Sequence, residues 1–224
     1  MSGIKKIICL ANSRKLSGRC VAGKEVLASG YGCWIRPISA RPSAEVSEDE
    51  RRYENGTEPK LLDIVEIPII GASPHLHQSE NYVIDAAATW LKKGEVPLSE
   101  VRNLLDKPSS LWVNGDSSRF GLNDRVRQDL ASKLTNSLLL IEPEGATIMV
   151  QQEGTSKRRV RAEFKYQGAA YRLIVTDPLA EQVFLGKPNG KYPLKNVNFC
   201  VSLAEEFDGS CYKLVAGVIS KESL

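Results

Sequence analysis

The sequence predicts a mainly β chain with peripheral helices, folded as two small antiparallel barrels in tandem. Three observations predict it. Apolar runs are short and bounded by turn residues. Glycine pairs such as Gln167-Gly168 and Asp208-Gly209 separate apolar runs as hairpin turns do. Long amphipathic stretches that could cross over between parallel strands are missing. The turn-rich stretch from Leu98 to Gly121 separates two halves, so domains are expected at 1–105 and 106–224.

Lys5 to Leu10 reads as a first strand centred on Ile7 and Ile8. Asn12 to Arg19 reads as a polar loop leaving it. Cys33 to Ile38 is a second strand, ending at Pro37-Ile38. The polar segment that follows is a loop or short surface helix, with Glu48 to Arg52 solvated. Leu61 to Ile70 alternates as a strand. Tyr82 to Ile84 is a short strand running into a helical turn near Trp90. Pro97 opens a short helix through Val101, Leu104 and Leu105, which Pro108 ends. Asn123 or Asp124 is placed to cap a helix through Leu134, with Val126, Leu130 and Leu134 on one stripe. Strands then dominate: Ser137–Ile141, Thr147–Gln151, Arg159–Tyr166 and Ala170–Thr176. Asp177-Pro178 opens one more helix. The last two strands meet around Asp208-Gly209.

Composition sets the class. The chain has 224 residues, 42% hydrophobic and 25% charged, enough for sizeable cores without metal or disulfide. The net charge of +3 permits a nucleic-acid partner but does not demand one. The five cysteines form no C-x-x-C pair, and the two histidines lack zinc spacing, so no metal or other cofactor is expected. The first apolar run is too short for a secretory signal, and no stretch approaches a membrane span. A reduced, cytoplasmic protein is expected, with thiols as small core residues.

Four stretches carry candidate chemistry. Asn12, Ser13, Arg14, Lys15 and Arg19 combine phosphate-neutralising cations with short hydrogen-bonding side chains; a solvated basic loop is the plainer reading. Gly18 to Lys24 has part of a Walker loop's spacing, but Glu25 stands where Ser or Thr would hold magnesium. Trp34 and Arg36 share a strand face and could stack a base and bind its phosphate, or fill a core and a salt bridge. Gln78, Glu80 and Asn81, beside His77, could read base edges or simply cap a turn. Lys157, Arg159, Arg161 and Lys165 fall on one strand face with Glu163, while Arg158, Val160 and Phe164 fall on the other. That face is either a single-strand platform or a solvated edge guard. Glu163-Phe164-Lys165 is also half of a magnesium-nuclease pattern, with Asp63 or Asp116 as the missing acid. Asp177 reads as a helix cap, and Cys200 and Cys211 as core.

"CLANSRKLSGRCVAG", "WIRPIS", "LLDIVEI" and "QSENY", in that order, resemble the dual OB-containing domain of bacterial proteins. "VTDP", "CVSL" and "CYKLVA" are similar to its second half. The resemblance implies two OB-type barrels, nucleic-acid binding and a place in bacterial defence or conflict systems. It lends no catalytic residue. The site positions it carries over are Asn12, Ser13, Arg14, Lys15, Arg19, Trp34, Arg36, Gln78, Glu80 and Asn81.

The expected function is binding of nucleic acid or a nucleotide-like anion without a reaction. Two alternatives stay open. One is an enzyme acting on nucleotides or nucleic-acid ends through Glu80, His77 or Glu163. The other is an adaptor docking a nuclease, helicase or ATPase.

Overall fold

A computed structural model describes residues 2–154 and 157–220. Two compact units divide the chain, Met1–Leu104 and Leu105–Leu224.

In the first unit, β1 (Gly3–Lys15), β2 (Gly18–Leu27) and β3 (Gly30–Ile38) form an antiparallel meander. One helical turn, α1 (Glu48–Arg51), follows, then β4 (Asp63–Ala72), β5 (Asn81–Ile84) and β6 (Leu91–Glu95). The sheet order is β1-β2-β3-β5-β4-β6, and β1 also pairs with β4. That extra pairing closes a five-stranded barrel, with β3 and β5 parallel. Ile7, Val21, Ile35, Val65, Ile67 and Trp90 pack its interior.

Closure requires β1 to serve two neighbours, so β1 must bend. A bulge between Cys9 and Ala11 supplies the bend. The Cys9 carbonyl accepts from Leu62 N–H at 2.7 Å. Opposite the bulge stands Gly23, and a Cβ there would lie 2.0 Å from the Ile8 carbonyl oxygen. Only glycine lets the two backbones approach this closely.

The second unit opens with β7 (Arg125–Arg127), the turn α2 (Gln128–Ala131) and β8 (Leu138–Ile141). A meander follows: β9 (Glu144–Glu153), β10 (Lys157–Tyr166) and β11 (Ala169–Val175). Then come α3 (Pro178–Leu185), β12 (Gly190–Leu194) and the long hairpin of β13 (Val197–Phe207) and β14 (Ser210–Ser220). The order is β12-β9-β10-β11-β14-β13-β8, with β7 on β14 and with β11 and β14 parallel. Ile148, Val160, Phe164, Tyr171, Phe199 and Val215 lie in its core.

Stripped of β6, β7, β8 and β12, both units share one plan. Three strands form a meander, a helix follows the third, and the fifth strand lies parallel to the third, between it and the fourth. That is the OB-like barrel order. The mainly β architecture with few helices is therefore as the sequence indicates, and the repeat lies in hydrogen-bonding order.

Several local readings change. Asn12–Arg19 is a hairpin: β1 runs through Lys15, Leu16 adopts φ 49°, and β2 starts at Gly18. Trp90 starts no helix; it bridges to Tyr53 and is fully buried. Asp124 caps no long helix, because Arg125–Arg127 pairs with β14 and only Gln128–Ala131 is helical. The segment Leu98–Leu104 is helical but of the tighter 3-10 type, with Val101 and Leu104 buried.

Candidate nucleic-acid interface

OB barrels present ligands to the face of their second and third strands and to the loops between the first two strands and the last two. In the first unit these are β2, β3, the tip of the β1–β2 hairpin and the turn between β4 and β5. At that tip Arg14 pairs directly with Arg19, and Lys15 with Gly18. Arg14 is exposed; Lys15 and Arg19 are half-buried. Like charges directly opposed across strands are destabilising, by roughly 0.2–1 kcal/mol.

The tip is held by backbone. Arg19 N–H donates to the Val46 carbonyl and Val46 N–H to the Arg19 carbonyl, both at 2.9 Å. A Cβ on Gly18 would lie 2.6 Å from the Val46 oxygen. Ser13 is buried, and the Asn12 amide donates to the Pro59 carbonyl at 2.7 Å. The Asn12 side chain anchors the hairpin, and the cations follow it along the chain. The Glu45 carboxyl lies next to the tip and is held below the usual carboxylate range, chiefly by the Ser43 hydroxyl, then by its backbone, with Arg41 and Lys15 adding attraction.

Trp34 is half-buried on β3, paired across to Lys24, whose ammonium lies 5.6 Å from the ring centroid. Two residues on, Arg36 is buried. Its guanidinium faces Glu80 at 3.5 Å and donates to the Asn81 side chain at 3.5 Å. Asn81 in turn donates to Gln78 at 3.3 Å. The structure thus brings Arg36, Gln78, Glu80 and Asn81 together, where β5 lies parallel to β3. None of the four is more than 6% exposed. They are better suited to fixing the turn between β4 and β5 than to reading base edges, since a buried ion pair needs its partners inside. His77 is buried in the same turn, while Leu76 stands exposed at its apex.

The second cationic strand is engaged in part by neighbouring acids. Lys157 and Lys165 are exposed and Arg159 is half-buried. Arg161 is buried and grips Glu153 through two hydrogen bonds, of 2.5 and 3.0 Å, with Asp124 at 3.7 Å. Glu163 lies between Arg172 at 2.6 Å and Lys191 at 3.1 Å. Burial pushes the Glu163 carboxyl up, but Lys191 and Arg172 outweigh it and hold the group below its ordinary value. Arg158, on the opposite face, donates to the Leu185 and Lys187 carbonyls at the end of α3. Of the expected patch, Arg161 is thus part of the scaffold.

A group that sequence reading missed is Lys213 on β14. It is fully buried, and its ammonium donates to the Val113 carbonyl at 2.8 Å and the Asn114 side chain at 2.9 Å. The Tyr171 ring lies 5.3 Å away. Burial pushes its pKa down to about 7, against the attraction of Asp124. The available signal was parity: Lys213 shares a strand face with Cys211 and Val215, both core residues.

A family model described as the dual OB-containing domain matches residues 5–218. The chain belongs to the dual OB-containing domain family. Among curated proteins, none matches significantly. Solved structures with some likeness include the tetrameric p202 HIN2 and the p204 HINb domain. The first is 8% identical, with a TM-score of 0.34 and coverage of 97% of this chain and 91% of that one. The second is 11% identical, with a TM-score of 0.35 and 97% coverage of both chains. A murine DNA-binding protein bound to double-stranded DNA is 11% identical, with a TM-score of 0.32 and coverage of 98% and 99%. Likenesses this weak leave the ligand of this dual OB protein to be argued from its own residues. No helix among the described residues is long and apolar enough to cross a membrane.

Proposed function

We propose that this dual OB protein binds nucleic acid through its first barrel, with the β1–β2 hairpin tip as the phosphate contact. The observation that carries the reading is the direct cross-strand pairing of Arg14 with Arg19. A phosphate placed between two cations held face to face gains attraction from both. Lys15 adds a third charge, and Trp34 with Lys24 lies on the adjoining β2–β3 face. On strand β10 the buried Arg161 is committed to Glu153 and Asp124, so the second barrel offers scattered rather than paired cations. Its exposed Lys157 and Lys165 contribute long-range attraction only.

Fluorescence anisotropy with a labelled single strand, run across a salt series, tests the reading. Each phosphate contact contributes about 0.7 to the slope of log affinity against log salt on single strands. The double variant Arg14→Ala, Arg19→Ala should therefore flatten the slope by about 1.4 and weaken binding evenly across sequences. A wild-type slope near zero, or a double variant that binds like wild type, would refute it.

A further inference from the structure

Among the described residues, the two most exposed large hydrophobic side chains are Leu16, at 73%, and Phe207, at 72%. Both stand at hairpin tips. Leu16 caps the β1–β2 turn among Arg14, Lys15 and Arg19. Phe207 caps the β13–β14 turn among Glu205, Glu206 and Asp208, all exposed. Neither tip is loosely built. Phe207 pairs with Ser210 in the ladder, Glu206 accepts from Gly209 N–H, and Asp208 (φ 52°) and Gly209 (φ 74°) make the tight turn. A rigid hairpin that holds an aromatic ring in water between carboxylates loses apolar burial that a partner would recover.

We propose that the acidic β13–β14 tip docks onto the basic β1–β2 tip of a second copy of this chain. A tip rich in cations around one aliphatic side chain faces a tip rich in carboxylates around one aromatic ring. The opposite sign of the two tips argues for a self-partner. The contact is heterologous, since different surfaces meet, so copies join head to tail into rings or short chains. Two hairpin tips cover little area, which places the association at the weak end, where charge governs both affinity and rate. This inference does not depend on the nucleic-acid reading, though both use the basic tip.

Sedimentation velocity on the full chain alone, without nucleic acid, tests it. Wild type should associate with rising concentration at about 0.05 M salt, and roughly tenfold more weakly at about 0.5 M. Arg14→Glu and Glu205→Lys should each lose the association, and their equimolar mixture should regain it, because the unaltered acidic tip of the first then meets the unaltered basic tip of the second. Phe207→Ser should weaken association without changing its salt dependence. A monomeric wild type at low salt, single variants that associate as wild type does, or a mixture that stays monomeric would each overturn the proposal. Each variant's circular dichroism should match wild type, because all three side chains lie at exposed tips.

Discussion

Lys213 ties the stability of the second barrel to pH. Its ammonium is fully buried against two neutral acceptors and an aromatic face, and its pKa falls from 10.5 to about 7. In the unfolded chain the same amine holds its proton to above pH 10. Below pH 7 both states are charged, and the fold bears the whole cost of burying the charge. Above it the folded state releases the proton first, so the unfolded state binds more protons and stability rises with pH. The limiting slope is about 1.4 kcal/mol per pH unit, and from pH 7 to pH 9 the gain is about 2 kcal/mol, because half the lysine is already neutral at the start. The window closes from above: burial raises the Cys211 thiol, which begins to favour the unfolded state as it ionises there. Urea unfolding at several pH values, followed by fluorescence, reads the effect. Lys213→Met is the control. It strands the Val113 carbonyl and the Asn114 side chain, and so loses stability at all pH values, but it cannot titrate. The reasoning fails if wild type gains nothing between pH 7 and pH 9, or if the methionine variant gains as much.

Two further outcomes follow from close packing and capping. Gly23→Ala should unfold the first barrel or cost more than about 3 kcal/mol in urea unfolding, because its Cβ would meet backbone rather than a movable side chain. Asp177→Ala should cost about 2–4 kcal/mol by the same measurement: one carboxylate oxygen accepts from Leu179 and Ala180 N–H at the start of α3, and the other from Val218 N–H on β14.

Elements whose side chains alternate against a core were legible. So were turns whose chemistry is local: Asp177-Pro178 opens α3, and Gln167-Gly168 turns between β10 and β11 with φ of 49° and 74°. The second strand was not legible. Gly23 interrupts its apolar pattern, and Lys24-Glu25 follows at once, so the stretch reads as loop. Yet Gly23 is there because two backbones nearly touch. A residue required by a long-range contact looks like a local breaker until its partner is known. The same holds for Arg161. Its strand parity points outward with Lys157 and Lys165, and only the fold brings Glu153 and Asp124 onto it.

Candidate sites were legible as residue types and opaque as to depth. Arg36, Gln78, Glu80 and Asn81 do converge, because β5 lies beside β3, but they converge beneath the surface. Arg14 and Arg19, five residues apart and read from sequence as loop cations, become direct neighbours because the chain turns back between them.

The two barrels share a strand order and divide in electrostatics, so the fold alone does not decide which one meets a ligand. In the second barrel the acids Glu153, Glu163 and Asp124 engage the cations of β10 and its neighbours, making charge part of the scaffold. In the first barrel the ion pair Arg36–Glu80 lies inside, and the hairpin cations Arg14 and Arg19 face one another outside it. Duplicated topology with divided charge has a physical consequence. In the second barrel the buried pair of Arg161 with Glu153 is weakly screened by salt, while the half-exposed pairs of Glu163 with Arg172 and Lys191 are screened more. The first barrel's tip strengthens or fades with ionic strength. A salt-dependent affinity that the Arg14 and Arg19 substitutions flatten therefore reports on the hairpin, and one indifferent to salt would have to contact surfaces other than the hairpin.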